Sequence, residues 1–164
     1  MGHELHEIEP VFDRHSRILI LGSFPSVKSR EAGFFYHHPQ NRFWRTLAAV
    51  TGQETPGSIP EKKEFLLRNR IALWDVIASC EIQGSSDSSI RNVVPNDLSR
   101  ILEAAQIRQI CTNGGTAYKL YQKYLYPVTG RTAIRLPSTS PANATSSLEA
   151  LIEQWKVIRE LLGD

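Results

Sequence analysis

The chain has 164 residues, of which 41% are hydrophobic and 22% charged, with a formal net charge of +2. These proportions exclude a disordered or fibrous chain, and a sequence of this length buries roughly 70% of the surface its unfolded form exposes, so its core needs no staples. No apolar run reaches the ~18 residues of a membrane span, and the small positive charge permits a polyanionic partner without requiring one. Residues 1–7 are too polar for a signal peptide, so a cytoplasmic protein is expected, with Cys80 and Cys111 reduced.

The first predicted element is a buried strand over residues 17–21, a short apolar run closed by Gly22 and, three residues on, Pro25. Residues 39–50 predict a helix in which Phe43, Trp44, Leu47 and Val50 share a face. Ser58 and Glu61 have capping-box spacing around Pro60, which predicts a helix running to about residue 70. A second strand is expected over 70–76, and the Ser-rich stretch 84–89 places 77–94 in a loop. Asn96 then opens a helix carrying Leu98, Ile101, Leu102 and Ala105 at the helical period. A third strand over 107–112 leads through Asn113-Gly114-Gly115 into a helix with Leu120, Tyr121 and Tyr124, and a fourth strand covers 132–136. The final helix is predicted from the pairing of Ser146 with Glu149 and from the stripe Leu148, Leu151, Ile152, Trp155, Ile158 and Leu162.

Strands alternating with helices predict an α/β fold, a three-layer α/β/α sandwich around a central four-stranded parallel sheet. Without repeats or long linkers, residues 1–164 are expected to form one domain. Loops 22–41, 77–94, 113–116 and 137–146 then gather at the carboxyl edge of the sheet, where such folds place their ligands.

Several polar residues fall in those loops. Ser138, Thr139 and Ser140, bracketed by Pro137 and Pro141, are suited to gripping phosphate oxygens, and equally to capping the last helix. Asn41 and Asn113 each precede a helix, so each is an N-cap candidate that can also face a ligand. Phe24 between Ser23 and Pro25 offers a ring for stacking on a base or for the local core. Asp75 ends the second strand in a catalytic or a structural role. The five histidines make no metal pattern: His3 and His6 stand three apart at a terminus expected to fray, and His37 and His38 are adjacent without nearby Cys or carboxylates. Gly22 alone is no dinucleotide fingerprint and no phosphate-binding loop is present, so no cofactor or metal is expected.

Leu21-Gly22-Ser23-Phe24-Pro25-Ser26, His38-Pro39-Gln40-Asn41-Arg42-Phe43-Trp44, Ala72-Leu73-Trp74-Asp75-Val76, Thr112-Asn113-Gly114-Gly115-Thr116-Ala117 and Leu136-Pro137-Ser138-Thr139-Ser140-Pro141-Ala142-Asn143 together resemble the motifs of the uracil-DNA glycosylase superfamily, in their order. The resemblance is closest to the hypoxanthine-DNA glycosylase branch, allied to the mismatch-specific uracil and thymine glycosylases, and runs from about residue 15 to 160. It implies a uracil-DNA glycosylase-like fold and a monofunctional DNA glycosylase of base excision repair. Such an enzyme flips a deaminated base, hypoxanthine with uracil as a further candidate, out of DNA and hydrolyses its N-glycosidic bond. Sister branches carry Asn or Asp where Phe24 stands, and the resemblance moves that catalytic role to Asn41, whose carbonyl would hold a water and point a dipole at the sugar. It further implies base binding by Gly22, Ser23, Phe24 and Asn113, and DNA binding by Ser138, Thr139, Ser140 and Arg42. The residue that wedges into the base stack in sister families has only Thr139, Ala142 and Asn143 as candidates here. The partner implied is DNA containing deaminated bases, met by a monomer away from any membrane. The alternatives are a nucleic-acid-binding member of the fold that has lost catalysis and a hydrolase of free nucleosides.

Overall fold

The computed structural model describes residues 2–163; Met1 and Asp164, the ends of the expected domain, lie outside them. Strands β1 (Gly2–Leu5), β2 (Ile18–Gly22), β3 (Ile71–Asp75), β4 (Ile77–Ile82), β5 (Arg91–Pro95), β6 (Gln109–Asn113) and β7 (Ala133–Leu136) form two sheets. The larger has the order β3-β2-β6-β7 with every pair parallel. Its four strands match the four expected from sequence to within two residues at each end. β2 and β3 are buried along their whole length, as a parallel sheet covered on both faces requires.

The helices are α1 (Val27–Ala32), α2 (Phe43–Thr51), α3 (Ile59–Arg68), α4 (Ser99–Leu102), α5 (Gly115–Leu120), α6 (Tyr126–Thr129), α7 (Leu148–Trp155) and α8 (Val157–Leu162). α3 starts at the expected capping box: Ser58 Oγ accepts from Glu61 N–H, and the Glu61 carboxylate accepts from Ser58 N–H. α7 and α8 divide the predicted final helix at Lys156, and its N-cap is Ser147 rather than Ser146, accepting from Ala150 N–H at 3.1 Å. The apolar stripe is unaffected, with Leu151, Trp155 and Ile158 fully buried. Burial of each such side chain contributes about 1.5–3 kcal/mol. Trp155 also donates its Nε1–H to Pro137 O at 3.0 Å, which ties the last helix to the loop after β7.

Two expectations are corrected. Residues 77–94 are largely a second sheet rather than a loop, with antiparallel order β1-β4-β5 and a turn around Gly84 and the 3-10 segment Asp87–Ser89. Asn96 opens no helix. It is buried where the chain passes from the parallel to the antiparallel sheet, and its Nδ2 donates to Asp75 O at 2.9 Å and Ile77 O at 3.1 Å. α4 is accordingly one short turn beginning at Ser99. No helix among the described residues is long and apolar enough to cross a membrane.

Candidate functional site

Parallel register places the carboxyl ends of all four central strands side by side: Gly22 pairs with Asp75, and Asn113 with Leu136. Above this edge opens a cleft of about 1130 Å³, lined by Gly22, Ser23, Phe24, Asp75, Asn113 and the 137–146 loop, with Tyr36 and Asn41. Gly22 is required by space. A Cβ there would stand 2.4 Å from Asp75 Oδ1 and 2.7 Å from Tyr36 Oη, well inside van der Waals contact.

Asn41, Thr139 and Asn113 form one hydrogen-bonded wall. Asn41 Oδ1 accepts from Phe43 N–H and from Thr139 Oγ1–H, each at 2.9 Å. A backbone N–H can only donate, so the carboxamide is fixed with its oxygen inward. The carbonyl expected to hold a water is therefore already occupied, and the end left for a ligand is Nδ2, which has no partner among the described residues. Thr139, with no exposed surface, accepts from Asn113 Nδ2 at 3.0 Å and donates its own N–H to Asn113 Oδ1 at 3.0 Å. Buried between two asparagines, Thr139 holds the wall together and is not free for phosphate. Its expected DNA contact is corrected on that ground.

Arg42 is likewise a structural clamp. Its guanidinium donates to Ser140 O and Asn143 O, each at 3.0 Å, and to Ser146 O, while its backbone N–H donates to Thr139 O at 3.1 Å. Three carbonyls of the 137–146 loop thus occupy the group expected to meet phosphate. Ser138 and Ser140 remain suited to DNA. Ser138 Oγ accepts from Ser140 N–H and Ser140 Oγ accepts from Ala142 N–H, each at 3.1 Å. Both hydroxyl protons are left without an acceptor among the described residues.

Phe24 is 8% exposed, edge-on to the His6 ring at 6.0 Å between centroids, with the Arg30 guanidinium 5.5 Å above it. It walls the cleft while belonging to the core, which leaves little ring face for stacking on a base. Ser23 Oγ donates to Asp87 Oδ1 at 3.2 Å. Crowding at the cleft mouth, opposed by that hydrogen bond, pushes the Asp87 carboxyl above its usual range, with Asp75 adding to the rise.

Three residues at the site escaped sequence reading. His6 does not fray: β1 pairs with β4, His6 N–H donates to Ala78 O at 2.7 Å, and the His6 side chain, 1% exposed, meets Asp75 Oδ2 through Nε2 at 2.8 Å. Tyr36 holds a left-handed backbone, φ +50°, with its ring stacked on Phe43 at 4.1 Å. Asp87 arrives on the turn of the second sheet. Only folding of that sheet brings His6 and Asp87 here, and no local spacing encodes it.

A four-stranded parallel sheet with helices and a polar cleft over its carboxyl edge defines an α/β protein built to enclose a small flat ligand. The sequence profile described as the uracil DNA glycosylase superfamily matches residues 9–162. The chain is 39% identical over 150 residues to a Methanosarcina acetivorans protein named hypoxanthine DNA glycosylase, covering 90% of this chain and 93% of that one. A protein of the same name from Methanosarcina barkeri is 33% identical over 138 residues, covering 84% and 87%. The solution NMR structure of a Methanosarcina acetivorans protein provisionally named a uracil DNA glycosylase superposes with a TM-score of 0.80 at 36% identity, covering 94% of this chain and 96% of that one. This chain belongs to the uracil DNA glycosylase superfamily.

Proposed function

We propose that this chain is a monofunctional DNA glycosylase, one domain working as a monomer in the cytoplasm. It extrudes a deaminated base from DNA, hypoxanthine first and uracil second, and hydrolyses the N-glycosidic bond to leave an abasic site. The observation that carries this reading is the wall of Asn41, Thr139 and Asn113 on a cleft of about 1130 Å³ at the carboxyl edge of the sheet. The relatives named hypoxanthine DNA glycosylase support the order of preference.

The bond breaks with its electron pair leaving on the base, and the sugar becomes oxocarbenium-like at C1′. Water adds there and releases its proton to solvent. Catalysis of this kind asks for fixed dipoles more than for a strong base. Asn41 supplies one, its Nδ2–H groups holding the water oxygen while Thr139 and Phe43 N–H fix the plane of the amide. The Asp75 and Asp87 carboxylates add negative potential beside the sugar. Gly22, Ser23, Phe24 and Asn113 form the seat of the base, and the free hydroxyl protons of Ser138 and Ser140 donate to phosphate oxygens. No lysine lines the cleft among the described residues, which favours hydrolysis by water over Schiff-base chemistry.

The test is to incubate the purified protein with duplexes carrying hypoxanthine, uracil or only normal bases, then to read free base by chromatography and strand breaks after alkali. Hypoxanthine release with alkali-labile sites at that position is expected. Binding without abasic sites would instead mark a catalytically silent DNA-binding member, and equal action on free deoxyinosine a nucleoside hydrolase.

A further inference from the structure

Two polar groups on the floor of the cleft have no role in holding Asn41. Tyr36 Oη is closed to solvent and makes no hydrogen bond among the described residues. Asp75, 3% exposed, has its Oδ2 anchored by His6 Nε2 at 2.8 Å, while its Oδ1 has no hydrogen-bond partner among the described residues. Both free oxygens reach over the Cα of Gly22, at 2.7 and 2.4 Å from the point where a Cβ would stand, and both residues line the cleft. Native proteins seldom leave a buried hydroxyl unpaired, and they seldom hold a non-glycine residue at positive φ. Tyr36 does both, as expected of a group kept for a ligand.

The two oxygens differ in chemistry. Burial, reinforced by the Asp75 charge, pushes the Tyr36 phenol above its ordinary range despite the opposing Asn113 amide, so it stays protonated and donates. An ionised carboxylate only accepts. We infer that Tyr36 O–H and Asp75 Oδ1 form a donor and acceptor pair that reads the extruded base, Asp75 accepting from a ring N–H and Tyr36 donating to the neighbouring exocyclic oxygen.

This inference rests on the glycosylase reading and names its substrate class: bases with a ring N–H beside a carbonyl, the edge that deamination creates. Hypoxanthine has N1–H beside O6, and uracil has N3–H beside O4. Adenine and cytosine invert both positions, setting a ring lone pair against the carboxylate and an amino donor against the phenol. A buried site built to pair one pattern rejects the inverse, because its own polar groups are left unpaired. Guanine and thymine share the edge with an added amino or methyl group, so their exclusion falls to the fit of the cleft and to the stability of their normal pairs.

The inference is tested by affinity for duplexes whose 2′-fluoro sugar resists cleavage, carrying hypoxanthine, 1-methylhypoxanthine (no ring N–H) or unsubstituted purine (neither feature). Wild-type protein is expected to favour hypoxanthine over each of the others by about tenfold or more, the worth of one or two hydrogen bonds to buried partners. Tyr36→Phe should lower affinity for hypoxanthine and leave purine unchanged, and Asp75→Asn should lower it for hypoxanthine and leave 1-methylhypoxanthine unchanged. Equal wild-type affinity for the three would overturn the inference even if neither variant folds, and so would a uniform loss across all three in both variants. Release of hypoxanthine from the ordinary duplex is scored separately. Its absence would overturn the glycosylase reading, while the fluoro-duplex preferences still judge the reading of the base edge.

Discussion

His6 stands at the bottom of the site, walled by Phe24, Phe35 and Trp74 and hydrogen-bonded to Asp75. Removing the imidazole leaves a buried carboxylate oxygen without its partner, which costs about 1–3 kcal/mol or more. His6→Ala is therefore expected to lower the urea midpoint by at least that free energy at pH 7; a change below about 0.5 kcal/mol, the scale of ordinary surface substitutions, would contradict the pairing. Phe24 was expected to serve the base more than the fold. Its near-complete burial reverses that order: Phe24→Ala should cost about 3–5 kcal/mol of stability through the cavity it leaves, read by the same unfolding. Sequence alone made Asn41, Asn113 and Ser138 visible, because Asn before a helix and Ser between prolines are local signals. Tyr36 was not visible, since neither its positive φ nor its unpaired hydroxyl leaves a mark in composition or period.

Among the elements, the loop 137–146 shapes the cleft, and the N-terminus of α2 holds that loop through Arg42. Arg42→Ala frees three carbonyls at once, so amide exchange across 138–146 should quicken by on the order of tenfold or more while the central strands keep their protection. Unchanged exchange in the loop would show that Arg42 does not clamp it. The four parallel strands were legible from sequence because strands buried on both faces read as continuous apolar runs, as in Ile18-Leu19-Ile20-Leu21. The antiparallel sheet was not. β4 alternates around Ser79 and Glu81, β5 is mostly exposed and ends in Pro95, and β1 is polar and lies far from β4 in sequence. Their pairing is a long-range event, interrupted between β4 and β5 by register shifts, and no single segment announces it. Asn96 misled for a related reason. An Asn before an apolar-periodic stretch has the signature of an N-cap, yet here its side chain bonds to backbone carbonyls at the junction of the sheets.

At the scale of the molecule, the core runs unbroken from the parallel sheet to the helices and into the antiparallel sheet, with both cysteines inside it. Burial pushes the Cys111 thiol up to about 12 and raises Cys80 as well, so neither forms the reactive thiolate near neutrality. Both are expected to react with a thiol reagent at pH 8 only at the rate of global unfolding, and rapid labelling of either in native protein would contradict the packing. With a net charge of only +2, non-specific attraction to DNA is weak, and preference for a damaged site depends on the cleft. The central claim is that the amide of Asn41, held by Thr139 and the α2 N-terminus, carries the chemistry in that cleft. Single-turnover excision from a hypoxanthine duplex, compared between wild type and Asn41→Ala at saturating enzyme, tests it most directly. A fall of roughly 10²–10³ in rate, with DNA affinity retained, is predicted from the loss of one preorganised donor; excision by the variant at the wild-type rate would contradict the account.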